Sequence, residues 1–256
     1  MGLSGSFINL VQVSAAASIM GIVDEESVGK KLVVPYFMCA ATAVRKASSL
    51  PSNLRTDYID LYQIHNLPLQ DFEQVFSPGG ALDALQEAKA EGKIGHIGAT
   101  LHNLDALKKL VEDYDGTIET VMFPYSIVET HGHETLLAAR AKGIGVICMK
   151  PMAGGNLEDW SLALRFIAQS GAVDISIPGM GSAEEVTRNA SVAGDNTPLS
   201  PEELERCSAI RQELGSHFCR RCGYCLPCAA GIHIPSAFTL VNYLRHYQLA
   251  DWAQKR

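Results

Sequence analysis

The sequence predicts an α/β protein built from repeated strand–helix units around a parallel sheet, within the size range of a single α/β barrel carrying a small C-terminal appendage. Three observations predict it. From Asp57 onward, short apolar runs alternate with helical patterns at a regular beat, the sequence mark of βα units. The chain has 256 residues, 47% of them hydrophobic, enough to bury a substantial core. Near the C-terminus, Cys219-Arg-Arg-Cys222-Gly-Tyr-Cys225-Leu-Pro-Cys228 holds four of the seven cysteines at a strict spacing of three.

Five βα units are legible. The strands are expected at Tyr58 to Ile64, Ile94 to Ala99, Thr120 to Phe123, Gly145 to Met149 and Asp174 to Ile177. Between them, apolar residues recur at three and four, as in Leu104, Leu107, Leu110 and Val111, so one face of each helix turns toward a sheet. Gly92 and Gly143 sit where a helix would stop, because glycine accepts the left-handed conformation that ends one. Two later helices open with capping boxes, Ser182 with Glu185 and Ser200 with Glu203, the second followed by Pro201 in its first turn.

The strand ends carry the candidate chemistry. In a barrel, side chains just past the C-terminal ends of the strands converge on one mouth. Here those positions read His65-Asn66, Thr100-Leu101-His102, Tyr125-Ser126, Lys150-Pro151 and Pro178-Gly179-Met180-Gly181. Each is polar or glycine-rich. A single such residue is ordinary loop chemistry; five in series point to a site.

The overlapping C-x2-C steps favour an iron–sulfur cluster, because a short loop can wrap a cubane and present successive thiolates to different irons. Structural zinc sites more often pair two separate knuckles across a long spacer, so [4Fe–4S] is favoured over a zinc staple. Cys219, Cys222 and Cys225 are the firmer ligands. Cys228 departs from the ferredoxin run, in which the fourth cysteine precedes a proline. Cys207 is a reserve ligand, and Cys39 and Cys148 read as buried strand or strand-end residues.

A formal net charge of −7 without a basic run removes electrostatic support for a nucleic-acid partner. The apolar segment from Phe7 to Val23 is broken by Asn9, Gln12, Ser14 and Ser18, so no membrane span is expected. There is no basic region ahead of it to mark a signal peptide, and clustered cysteines fit a reducing cytoplasm.

Four stretches resemble the aldo/keto reductases. They are Thr56-Asp-Tyr-Ile-Asp-Leu-Tyr-Gln-Ile-His65-Asn66, Gly92-Lys-Ile-Gly-His-Ile-Gly-Ala-Thr100, Met149-Lys150-Pro151-Met-Ala-Gly-Gly155 and Ile177-Pro-Gly-Met180. Together with the cysteine run they resemble the branch of that family with a C-terminal ferredoxin-like segment. The resemblance implies a (β/α)8 TIM-type barrel over residues 1–198 and a helical, 4Fe–4S cluster-binding segment over 199–256. It also implies NADP(H) lying across the barrel mouth, with hydride transfer to or from a small carbonyl or alcohol, and an electron-transfer partner for the cluster.

Residue by residue, the resemblance places His65 as the histidine that positions the carbonyl. Tyr125, followed by Ser126, would stack on the nicotinamide, and Thr100 would bind its carboxamide. Lys150, Gly154 and Gly155 would cover the pyrophosphate. Pro178, Gly179, Met180 and Ser182 would hold a cofactor phosphate, where a capped helix start offers free N–H groups and a favourable dipole. Asn189 would approach the adenine.

The family's other three catalytic groups are not found. Alignment of Glu25 to Gly29 puts Gly21 at the tyrosine acid and Ala16 near the aspartate, and alignment of Val33 to Cys39 puts Met38 at the lysine. Tyr36 is the hydroxyl at hand. The segment before Asp57 is about thirty residues short of three full βα units, so the first three units are incomplete. Loss of a general acid removes roughly 10²–10⁴ in rate. Two expectations follow: an NADP(H)-dependent reductase with a cluster, or a non-catalytic cluster-binding or electron-transfer homologue or truncated gene product.

Overall fold

A computed structural model describes residues 58–114, 116–215, 219, 225–246 and 251. The positions aligned to the missing catalytic groups, Ala16, Gly21 and Met38, lie outside them, as do Tyr36, Cys39 and Cys222. The chain divides into two compact units, to which the described residues contribute 58–64 with 70–98, and 65–69 with 99 onward.

In the first unit, strand β1 (Ile59–Ile64) neighbours β2 (Ile94–Thr100), whose last two residues fall in the second unit. Helices α1 (Phe72–Phe76) and α2 (Ala81–Ala90) lie between them in sequence. Leu82, Ala84, Leu85 and Ala88 form the buried face of α2. Gly92 ends this helix with φ at 73°, as its position predicted.

In the second unit, β3 (Thr120–Pro124), β4 (Gly145–Met149) and β5 (Ile175–Ile177) run parallel, with Phe123 opposite Cys148 and Cys148 opposite Ser176. Parallel neighbours need a crossover, and each crossover is a helix. Helix α3 (Leu104–Asp113) precedes β3, α4 (His133–Ala141) joins β3 to β4, and α5 (Trp160–Ala168) joins β4 to β5. All five expected strands are present, and no bound differs from its expected position by more than one residue. Asp174 lies just before β5 instead of inside it, because its carboxylate accepts from Val146 N–H at 2.8 Å and its partner Arg140 Nε at 2.9 Å.

The helix starts follow capping chemistry. Asn103 accepts from Ala106 N–H at 2.9 Å ahead of α3, and Asp159 from Leu162 N–H at 3.0 Å ahead of α5. Ser182 caps α6 (Ala183–Ser191) by accepting from Glu185 N–H at 3.2 Å. Ser200 and Glu203 make the full reciprocal box at the start of α7 (Pro201–Gly215), with Ser200 N–H donating to Glu203 at 2.8 Å and Glu203 N–H to the Ser200 hydroxyl at 3.2 Å. The last helix, α8, is Ile234–His246.

Helix α7 shares a core with the loops that follow β3 and β4. Its Cys207, 2% exposed, packs among Ile127, Val128, Ala153, Leu157, Leu162 and Ala163, with Ile210 and Leu214 alongside. Arg165 of α5 fixes the approach of α7. Its guanidinium meets Glu203 at 2.5 Å and Asp195 at 3.3 Å, and donates to the carbonyl of Thr197 at 3.1 Å. No helix among the described residues is long and apolar enough to cross a membrane.

Candidate functional site

The predicted site residues of the second unit fall at the C-terminal ends of its strands, the arrangement that βα units impose on their loops. His65 is exposed one residue past β1, and Thr100, 5% exposed, closes β2. Tyr125 and Ser126 follow β3, Lys150 follows β4, and Pro178 to Met180 follow β5.

Three residues at two of these ends leave ordinary backbone space. Asn66, Lys150 and Ala153 hold φ at 49°, 56° and 50°, a left-handed region that L-residues enter when the surroundings over-determine them. Lys150 and Ala153 flank the turn into Gly154 and Gly155, which adopt φ of 69° and 90° in the 3-10 turn Ala153–Gly155. Residues 150–155 thus make a tight turn directly after β4. The N–H of Asn66 donates to the Thr100 hydroxyl oxygen at 2.5 Å.

Tyr125 sits differently from a free platform. It is 2% exposed, its hydroxyl is hydrogen-bonded with His133 Nδ1 at 2.9 Å, and its ring lies near parallel to that of Phe166, centroids 6.1 Å apart. Burial pushes its phenol above the usual value. Stacking on a nicotinamide would require the ring to leave these contacts. Ser126 is fully buried and closes a turn with Glu129 through reciprocal backbone bonds of 3.2 Å. Arg211 of α7 donates from Nε to the Ile127 carbonyl inside this turn at 2.9 Å, while its guanidinium lies 5.9 Å from the Phe166 ring centroid. Sequence reasoning missed Arg211, which stands 84 residues from its acceptor with no local signal.

Pro178, Met180 and Asn189 come together. All three line one cleft of about 460 Å³ among α5, β5 and α6, whose remaining walls include Leu164, Ile167 and Val186. The size and the mixture of apolar walls with a few polar groups are those of small-molecule sites. Gly179 and Ser182 are exposed on the same loop. At the α6 start, the Gly181 N–H is taken by the Glu185 carboxylate at 2.6 Å. An anion arriving there meets the remaining N–H groups of the first turn and a resident negative charge. The capping box in the sequence was the available signal for Glu185.

The cysteine segment is described in part. Cys219 and Cys228 are half-buried and Cys225 is exposed, and all three are free thiols. Backbone N–H groups of Ala230 and Ile232 hold the Cys228 thiol below its ordinary value. Among the described residues, no group of three or more histidine, cysteine, aspartate or glutamate side chains is placed to hold a metal ion. Cys207 does not join the segment. It lies in the apolar cluster described above, where desolvation pushes its thiol upward. Cys148, expected to be buried, is 0% exposed, and desolvation raises its thiol to about 12.

Residues 38–162 match the model of the aldo/keto reductase family. Among curated proteins, the chain is similar to two uncharacterized oxidoreductases of Bacillus subtilis. It is 28% identical to YqkF over 156 residues, 59% of this chain and 48% of the relative. It is 30% identical to YrpG over 110 residues, 41% of this chain and 32% of the relative. The chain thus spans about half or less of the length of these curated relatives. Among solved structures, the holo form of an aldo-keto reductase from Bacillus halodurans aligns over 67% of each chain with a TM-score of 0.57 and 22% identity. A putative aldo-keto reductase from Pseudomonas aeruginosa aligns over 61% of this chain and 60% of its own, with a TM-score of 0.53 and 20% identity.

The shared fold is the α/β barrel type with a parallel sheet. Over residues 38–162 the chain is similar to the aldo/keto reductases, and the curated relatives it resembles are named as oxidoreductases.

Proposed function

We propose that this chain is an NADP(H)-dependent oxidoreductase of the aldo/keto reductase type acting on a small carbonyl or alcohol, with a [4Fe–4S] cluster held by Cys219, Cys222, Cys225 and Cys228. The observation that carries the reading is the cleft: Pro178 and Met180, from one stretch of the family resemblance, and Asn189, eleven residues after Pro178, line one cavity of about 460 Å³. Thr100, Lys150, Gly154 and Gly155 stand at neighbouring strand ends, where a dinucleotide could extend. Bound NADPH supplies the hydride. The chain's own part is to hold the phosphate at the Pro178–Ser182 loop, to cover the pyrophosphate with the Lys150 turn and to orient the carbonyl with His65.

Titration with NADPH, followed by its fluorescence, tests this reading. Saturable binding that weakens on Asn189→Ala is expected, and no binding would overturn it. The cluster is tested separately, by iron and acid-labile sulfide in anaerobically purified protein. Zinc without sulfide would replace it with a structural zinc site.

The absence of a tyrosine acid and lysine at Gly21 and Met38 favours a second reading, in which the platform and the cluster serve electron transfer without carbonyl chemistry. Robust reduction of a test aldehyde by the wild-type chain would reject it.

A further inference from the structure

We infer that Asn66 is a positioning residue, whose left-handed backbone fixes the Thr100 hydroxyl as a hydrogen-bond donor toward a ligand and ties the His65 loop to it. The inference rests on the proposed nicotinamide-cofactor reading and adds to it a residue outside the set expected to bind the cofactor.

Two successive backbone N–H groups grip Thr100. Asn66 N–H donates to its hydroxyl oxygen at 2.5 Å, and Leu67 N–H donates to its main-chain carbonyl at 2.8 Å. Leu67 is buried at 2% exposure, which anchors the far side of this grip in the core. The short stretch His65–Leu69 belongs to the same compact unit as Ala99 and Thr100, although β1, which leads into it, does not.

The chemistry of the pair sets the polarity of Thr100. A hydroxyl offers one proton and two lone pairs, whereas a backbone N–H only donates. The bond from Asn66 therefore consumes a lone pair and leaves the proton to be given to an acceptor. The carboxamide oxygen of a nicotinamide is such an acceptor. Thr100, at 5% exposure, closes β2, so a ligand acceptor has to approach its hydroxyl closely to take the proton.

With φ at 49°, Asn66 turns the chain so that its own N–H and that of Leu67 both reach Thr100. Asparagine and glycine enter this region readily, whereas a β-branched residue does so only under strain. His65 is the neighbouring residue, so the same kink sets where the histidine leaves the chain. A β-branched residue at position 66 would release Thr100 and displace His65 together.

The test compares NADPH with 2′,5′-ADP, which shares the adenine end but lacks the nicotinamide, on the full chain. For Asn66→Val, the Kd for NADPH is expected to rise about tenfold while that for 2′,5′-ADP stays within about twofold of wild type. Asn66→Gly, which adopts the same φ freely, should restore NADPH binding. Thr100→Val, equal in shape but without the hydroxyl, should reproduce Asn66→Val even if the latter variant is too unstable to purify, and Thr100→Ser should bind as wild type does. Equal weakening of both ligands, or no weakening in Thr100→Val, would overturn the positioning role while leaving the cofactor reading intact. A wild-type chain that binds neither ligand would overturn the cofactor reading and this inference with it.

Discussion

Replacing Cys207 by alanine separates a core residue from a metal ligand, because the two roles predict opposite outcomes. The thiol is 2% exposed among Ile127, Val128, Leu162 and Ala163, and burial raises its proton affinity. A neutral buried thiol acts as a small hydrophobe. Alanine removes one sulfur, similar in size to a methylene, so the loss combines a transfer contribution near 0.8 kcal/mol with a small cavity, about 1 kcal/mol in total. Serine keeps the volume closer but buries a hydroxyl. On α7 that hydroxyl can bond back to the carbonyl of Glu203, one turn earlier, which offsets part of a desolvation cost of about 1–3 kcal/mol. Both variants should therefore unfold at lower urea concentration with an unchanged m-value, which denaturation followed by circular dichroism measures. Iron and sulfide content per chain should match wild type in both. An iron-depleted Cys207→Ala protein with undiminished stability would refute the reasoning and return Cys207 to the ligand set.

Cys148 carries a pH signature. Its folded thiol is raised to about 12, so the folded state keeps a proton that the unfolded state releases near the ordinary thiol value. Its contribution is complete below that ordinary value and is lost as pH rises toward 12, at up to about 1.4 kcal/mol per pH unit. Urea midpoints at pH 8 and pH 10 should fall more steeply for wild type than for Cys148→Ala; parallel slopes would refute the assignment. Arg165→Met should loosen α7 by freeing Glu203 and Asp195, seen as faster amide exchange across Pro201–Gly215, and unchanged exchange would count against the clamp. The carboxyls of Glu203 and Asp195 are held below their usual range, chiefly by backbone and side-chain donors of Ser200 and Thr197. Their contribution is present above the ordinary carboxylate range and is lost as acid protonates them. Glu185→Gln keeps an acceptor for Gly181 N–H but removes the negative charge at the α6 start, so NADPH affinity should rise about two- to fivefold, with a smaller gain for NADH. Equal gains for the two cofactors would argue against a phosphate at that loop.

Much of the second unit was legible before any coordinates. Period-three-and-four spacing marked Leu107, Leu110 and Val111 as the buried face of α3, because a helix facing a sheet repeats its apolar residues at that interval; Leu104, expected with them, is half-buried, and Ala106 is buried instead. Ser182 and Ser200 announced α6 and α7, since a cap needs only residues three positions apart. The strand-end series from His65 to Met180 was also legible, because parallel βα topology sends all such residues to one end. Local patterns of this kind are written in neighbouring residues and survive without knowledge of the fold.

What tertiary structure alone decided are the relations between distant residues. The bond from Asn66 to Thr100 spans 34 positions and that from Arg211 to Ile127 spans 84, and no local pattern marks either. Cys207 is one of seven cysteines in the sequence, and only packing against the loops after β3 and β4 turned it from a reserve ligand into a core residue. Tyr125 shows the same division. The sequence by itself determined that a tyrosine follows β3, whereas the packing of His133 and Phe166 decided where its ring and hydroxyl go. The physical reason is common to all: backbone period and capping act over a few residues, but hydrogen-bond partners and burial depend on which segments the completed sheet and its helices bring within a few ångströms.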